Sequence, residues 1–236
     1  MDTDQIENED GWIIGTVKRD RTEKKQYLIF SDPETEKPLL SVHEDIMIRF
    51  RLLKGQFLPK AQLEEIRNED ERYKAYALAI AYLGAKPRTR KAIAQYLARR
   101  ELQEDNIEYA LNRLESEQLV DDEQYARQFA TSRMRSGQKG RLMIRQELQQ
   151  RGVPKQVAAE AVTELDRESE LDAAKTLAEK KSRTVKGDPK QRKAKLMAFL
   201  LRRGFPGDIV REAIRGIEWK DKDSKEQEDD GVLLDN

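Results

Sequence analysis

The sequence predicts a mainly α fold: three tandem three-helix repeats in an elongated array, preceded by a small β-rich N-terminal extension. Three observations predict it. An apolar stripe with helical spacing recurs three times, the turns between stripes carry helix-capping and helix-breaking residues, and the front of the chain changes to strand-like composition.

The first ten residues, MDTDQIENED, hold five acids and no base, and are expected to form an acidic disordered N-terminus. Residues 11–58 form the β-rich extension. Trp12 to Val17 and Gln26 to Phe30 are strand-like, "PLLSV" adds a third strand, and a three-stranded antiparallel unit follows from them. A short helix is expected near His43 to Arg51, then "LLKGQFL", and from about Pro59 a long charged helix that enters the first repeat.

The repeats occupy 59–120 (with the linker helix), 121–166 and 167–218. An A-x-x-[LF]-A stripe places Ala75, Leu78 and Ala79 beside Ala126, Phe129 and Ala130, and beside Ala174, Leu177 and Ala178. Ile93 and Leu97 match Ile144 and Leu148, then Leu196 and Leu200; Leu102 matches Val153 and Phe205; Ala110 matches Ala161 and Ala213. From Ile93 onward the offsets are 51 residues and then 52. Each stripe keeps a period near 3.6, so each repeat contains three short helices. Asp121 or Asp122 can cap the first helix of repeat 2, Gly152 can end its second, and Pro154 can open its third. In repeat 3 "GDP" at 187–189 caps the second helix and Gly204 closes it, whereas repeat 1 has Glu101 at the corresponding turn. No Gly or Pro lies between Lys155 and Arg183, which leaves open whether the last helix of repeat 2 continues into repeat 3. Residues 219–236 are expected to be an acidic disordered tail.

Composition agrees with a modular chain. With 37% hydrophobic and 38% charged residues, 236 residues are lean for one large core. The absence of cysteine excludes disulfides, a thiol nucleophile and cysteine zinc sites, and is compatible with the cytoplasm. No apolar run is long enough to span a bilayer and the start lacks the features of a signal peptide, so no membrane partner is expected. The net charge of zero conceals segregation: acidic ends flank the basic islands "KPRTRK", "RMRSGQKGR" and "KKSRTVKGDPKQRKAK". Such a cationic middle suits a polyanion or an acidic protein surface, with acidic ends that limit non-specific adhesion.

Catalytic chemistry has little support. "SGQKGRL" lacks the spacing and the Lys-Ser/Thr pair of a phosphate-binding loop, so Gly137 and Gly140 are inter-helix punctuation. His43 is the sole histidine, and Asp121 and Asp122 stand where helix caps belong. No nucleophile-elbow, zinc-helix or dinucleotide motif occurs, and no cofactor, metal or catalytic residue is expected. Among the tyrosines interleaved with basic residues, Tyr73 and Tyr96 are the outward candidates for stacking on bases.

The segment "LESEQLVDDEQYARQFATSRMRSGQKGRLMIRQELQQRGV", Leu114 to Val153, resembles the central signature of the RecX regulatory proteins. "ALAIAYLGAKPRTRKAIAQYL" is similar to the family's first repeat and "FLLRRGFPGDIVREAI" to its third, so the resemblance covers about residues 11–218. Arg141 departs from the family, where many relatives carry proline. The resemblance implies three three-helix repeats and a non-enzymatic modulator of the RecA recombinase, lodged along the RecA filament on single-stranded DNA. It also implies a place in homologous recombination, DNA repair and the SOS response, through restraint of recombinase, ATPase and coprotease activities. Candidate contacts to RecA or DNA, single- or double-stranded, are Arg88, Arg90 and Lys91; Arg133, Arg135, Lys139, Arg141 and Arg145; and Lys186, Lys190 and Arg192. A monomer is expected. The alternative is a DNA- or RNA-binding helical repeat that acts without RecA, and a hydrolase using Asp121 and Asp122 is a distant third.

Overall fold

The computed structural model describes residues 10–217. The acidic ends expected at 1–10 and 219–236 lie outside the described residues, apart from Asp10. The chain divides into two compact units, at Val120 and Asp121.

In the first unit, strands β1 (Gly11–Ile13), β2 (Thr16–Arg19), β3 (Gln26–Phe30) and β4 (Leu40–His43) precede helix α1 (Glu44–Arg49) and strand β5 (Phe57–Pro59). β2, β3 and β4 form the expected antiparallel sheet, with Val17 opposite Ile29 and Tyr27 opposite Val42. The stretch from Trp12 to Val17, however, is two strands. β1 pairs with β5, Trp12 opposite Leu58, so "LLKGQFL" supplies Phe57 and Leu58 to a strand. The change of partner falls between Ile14, whose N–H donates to the Gln56 carbonyl, and Gly15, whose N–H donates to that of Phe30. The crossing wraps one core: Ile14, Ile29, Val42, Ile46, Leu52 and Leu58 are buried together. An apolar run shows that a strand exists but not which edge it joins.

His43 caps α1, its Nδ1 accepting from the Asp45 N–H at 3.2 Å. Helix α2 (Lys60–Leu83) spans about 36 Å at the usual rise per residue. Its first half buries Leu63 and Ile66 in the β core; its second half buries Ala75 and Ala79 in the core of repeat 1. The linker helix and the first helix of the repeat are therefore one element. α3 (Arg90–Ala98) and α4 (Glu104–Ser116) complete repeat 1 around Ile93, Leu97, Ala110, Leu111 and Leu114.

The second unit holds α5 (Asp122–Arg135), α6 (Arg141–Gln150) and α7 (Lys155–Thr163), then α8 (Arg167–Ser182), α9 (Pro189–Arg202) and α10 (Gly207–Ile214). The stripes found in the sequence are its cores: Ala126, Ala130, Ile144 and Leu148 in repeat 2, and Ala174, Ala178, Leu196, Leu200 and Phe205 in repeat 3. Each fully buried Leu, Ile or Phe removes enough apolar surface from water to contribute about 1.5–3 kcal/mol. Helices α7 and α8 are separate. Leu165 turns into the core, and Asp166 caps α8 by accepting the Ser169 N–H at 2.8 Å. Asp121 caps α5 in the same manner, accepting the N–H groups of Glu123 and Gln124 at 2.9 Å each.

Candidate functional site

The three basic islands all fall at the turn between the first and second helix of a repeat, and the neighbouring carboxylates sort their cations into two groups. In repeat 1, Thr89 caps α3 by accepting the Ala92 N–H. Arg90 is fixed between Glu108 and Glu115 at 2.5 and 2.6 Å, tying α3 to α4. Arg88 lies over the ring of Tyr82 at 4.2 Å. Lys91 is exposed and has no partner among the described residues.

Repeat 2 differs most from what its composition suggests. Arg133 reaches Glu147 at 3.2 Å and Lys139 pairs with the same carboxylate. Arg141 is committed to Glu170 of repeat 3, which is fully buried: its Nε lies 2.6 Å from one carboxylate oxygen and its backbone N–H donates to the other at 2.8 Å. The next N–H of α6, that of Leu142, donates to the Gly204 carbonyl at 3.0 Å. A helix start flanked by Arg and Lys would suit a phosphate, but here a protein carboxylate and a carbonyl fill that place. The cations left open to solvent near this turn are therefore other side chains. Arg135 and Arg145 are such side chains, exposed and without a partner among the described residues.

In repeat 3, Asp188 caps α9 by accepting the Gln191 N–H at 2.8 Å, and the Lys195 ammonium donates to the Lys186 carbonyl at 2.9 Å. Lys186 and Lys190 extend exposed ammonium groups, whereas Arg192 is half-buried and engaged within the fold. Of the eleven predicted cations, Lys91, Arg135, Arg145, Lys186 and Lys190 are thus the ones that the fold leaves to solvent.

A second set of cations escapes a search for basic runs. Arg100 lies 5.0 Å over Tyr96, which is stacked at 4.0 Å on Tyr82; Arg151 and Arg133 lie over Phe129 at 4.7 and 5.1 Å; Arg203 and Lys181 lie over Phe199 at 5.3 and 5.5 Å. Arg100, Arg151 and Arg203 are separated by the 51 and 52 residues of the repeat, so the periodicity itself was the available signal. A guanidinium held on a ring is oriented at reduced entropic cost, and two of these also donate within the fold, Arg151 Nη1 to the Tyr125 hydroxyl at 3.2 Å and Arg203 Nη1 to the Gln138 carbonyl at 3.4 Å. The same packing removes the expected stacking tyrosines. Tyr96 is occupied by Tyr82 and Arg100, and Tyr73 rests against His43 with its hydroxyl bonded to Asp45. Burial, reinforced by Asp45, pushes the Tyr73 phenol up to about 12.

Between α5 and α8 a groove of about 800 Å³ is lined by Arg135 and Lys180 together with Asp166 and Asp172. Its mixed charge suits a protein surface better than a polyphosphate. Asp121, the tempting half of the Asp121–Asp122 pair, has its carboxylate engaged as the cap of α5. Among the described residues no group of three His, Asp or Glu side chains stands in metal-binding proximity, and no helix is long and apolar enough to cross a membrane.

Family comparisons agree with this arrangement. The family models for the first, second and third three-helix domains of RecX match residues 75–114, 121–162 and 168–214. A regulatory protein RecX from Halalkalibacterium halodurans is 30% identical over 218 residues, which is 92% of this chain and 82% of the relative. One from Limosilactobacillus reuteri is 32% identical over 187 residues, 79% of this chain and 70% of the relative. Among solved structures, a crystal structure of regulatory protein RecX superposes with a TM-score of 0.69 at 29% identity, covering 84% of this chain and 96% of that one. RecX from Lactobacillus salivarius gives 0.59 at 28% identity, covering 62% and 96%.

Proposed function

The chain belongs to the RecX family of regulatory proteins, and from that premise we propose that it binds the RecA filament on single-stranded DNA and restrains filament activity without catalysing a reaction itself. The observation that carries this reading is the repetition of solvent-facing cations at one turn of all three repeats: Lys91, then Arg135 and Arg145, then Lys186 and Lys190. A filament offers the same acidic and phosphate surfaces at every subunit. Weak contacts spaced along one chain then add, because each bound repeat raises the effective concentration of the next. Arg88, Arg90, Arg133, Lys139, Arg141 and Arg192 serve this surface by shaping the turns, and Arg100, Arg151 and Arg203 extend it as ring-held guanidinium groups. In this reading the protein acts as a cytoplasmic monomer, needs no cofactor and modulates recombination and the SOS response.

The test is the ATPase rate of RecA on single-stranded DNA with this protein at a small fraction of the RecA concentration. Inhibition well below one-to-one is expected, and no effect at any ratio overturns the reading. A second reading, direct DNA or RNA binding without RecA, is favoured by the basic excess of residues 121–217, with 22 Lys and Arg against 14 Asp and Glu. It requires tight binding to an oligonucleotide alone, with affinity falling steeply as salt rises.

A further inference from the structure

The groove between α5 and α8 shares only Arg135 with the solvent-facing cations of the turns, and its lining has an order of its own. Along α8, Ser169, Ala173 and Leu177 form one row at helical spacing, and Asp172, Thr176 and Lys180 form the next. The first row is small or apolar. From repeat 2, Met134 and Leu165 line the same groove, both buried in that repeat's core. Gly137 comes close to α8: a Cβ built there would lie 3.8 Å from the Ala173 Cβ. The second row is exposed and charged at both ends.

The charges are sorted along the groove. Glu164, Asp166 and Asp172 stand toward the start of α8, and Lys180 stands about 21 Å beyond Asp166 at the usual helical rise. Asp166 is engaged as the cap of α8, Asp172 reaches Lys175 only at 3.9 Å, and Lys180 has no ion pair among the described residues. Three carboxylates beside the two cations Arg135 and Lys180 repel a nucleic-acid backbone. An extended peptide is poorly served as well. The walls are helices whose backbone groups are paired internally, so the peptide's own N–H and C=O groups would find no partners. A helix brings its hydrogen bonds with it. One about 10 Å across and about 20 Å long, half sunk, displaces roughly the 800 Å³ of the groove. Small residues such as Gly137, Ser169 and Ala173 admit the roughly 8–10 Å between axes at which helices pack.

We infer that this groove receives an amphipathic helix exposed on the protein subunits of the filament. Its apolar stripe lies over Met134, Ala173 and Leu177, with a cation against Asp172 and a carboxylate against Lys180. The inference rests on the reading of this chain as a filament binder, and it divides two tasks between two surfaces. The cationic turns attract anionic surfaces of any origin, whereas the groove, closed to polyanions, distinguishes a filament from a bare single strand.

The test uses the full-length chain, labelled at its amino terminus and followed by fluorescence anisotropy. It is titrated with preassembled RecA filaments on oligo-dT and with oligo-dT alone. Thr176 is exposed at the middle of the charged row. Thr176→Trp fills the groove without changing charge and should weaken filament binding at least about tenfold, while Thr176→Val, of nearly equal volume, should keep it within about twofold. Asp172→Lys together with Lys180→Asp preserves the net charge but reverses its order, and should also weaken filament binding at least about tenfold. Binding to oligo-dT alone should be unaltered in all three variants. Filament binding equal to the parent's in either Thr176→Trp or the exchange variant would overturn the inference. So would an equal loss on oligo-dT alone, which assigns the groove to nucleic acid, or a fall from dimer to monomer in light scattering, which assigns it to a second copy of this chain. A parent that fails to bind filaments removes the functional proposal and this inference together; a parent that binds, with variants that bind equally, removes this inference alone.

Discussion

The turn after the second helix is built with Glu101 in repeat 1 and with glycine in repeats 2 and 3, and the difference separates what the backbone needs from what the neighbours need. In repeat 1 Glu101 occupies this turn with φ of 60°, and in repeat 3 Gly204 occupies it with φ of 83°. Both therefore adopt the left-handed conformation that releases the chain from the helix. Glu101 shows that a side chain is tolerated there at a modest cost. Gly204 cannot be replaced so easily, because a Cβ would fall on the Met143 backbone, with Met143 Cα only 2.8 Å away. Gly140, across the joint, has the same constraint: its Cβ would lie 2.5 Å from Phe205 Cα. Gly140 and Gly204 are thus set by the close approach of repeats 2 and 3, sealed by the Gly140 N–H donating to the Arg203 carbonyl at 2.9 Å.

That comparison can be broken at graded cost. Gly204→Ala should destabilise the protein by more than about 3 kcal/mol, since strain and a backbone clash coincide. A urea midpoint within error of the parent would refute the tight joint. Glu170→Ala should cost about 2–4 kcal/mol by leaving the Arg141 guanidinium and N–H without their acceptor in a partly buried site; Glu170→Gln should recover part of this through its remaining oxygen. Glu101→Gly should go the other way, stabilising by about 0.5–1 kcal/mol as the left-handed strain is relieved.

The functional prediction is orthogonal to those. Arg145→Glu with Lys190→Glu should leave the urea midpoint within about 0.5 kcal/mol, as for other surface changes. Binding to RecA filaments should weaken at least tenfold. Arg90→Glu, by contrast, should disturb repeat 1 itself by abolishing its contacts to Glu108 and Glu115. Equal binding losses without unfolding in both variants would dissolve the distinction between solvent-facing and framework cations.

The smallest expected effect is a pH dependence in the first unit. Burial raises the Asp70 carboxyl above its ordinary 3.8, against the opposing hydrogen bond from the His43 N–H. A carboxyl raised on folding favours the folded state while protonated, and that contribution is lost as pH climbs from the unfolded value through the raised one. Asp70→Asn keeps an acceptor and removes the titration. The melting temperature of Asp70→Asn should therefore gain on the parent as pH rises from about 3.5 to 6; parallel curves would refute the assignment.

Much of this fold was legible because helical cores leave a local record. Ile93, Ile144 and Leu196 announce equivalent core positions from their spacing, and Asp121 announces a helix start. Contacts between distant segments leave no such record. Nothing near Arg141 in the sequence points to Glu170, 29 residues on, and the division of Trp12–Val17 between two sheets depends on which edges lie within reach. The candidate surface was legible as islands of charge but not as a set of available groups. Whether Arg133 or Arg135 faces solvent is decided by Glu147, which packs against one and not the other. The ring-held arginines were within reach of sequence reasoning, since they keep the same offsets as the apolar stripes.

The shared helix α2 has a consequence for how the first unit opens. Leu63 and Ile66 lie in one core and Ala75 and Ala79 in another, all on a single uninterrupted helix. Loss of either core strips one half of that helix of its partners and weakens the half that remains. Amide protons on both sides of α2 are therefore expected to exchange with solvent in one concerted opening, so that a β extension with few strands borrows its persistence from the repeat that follows it.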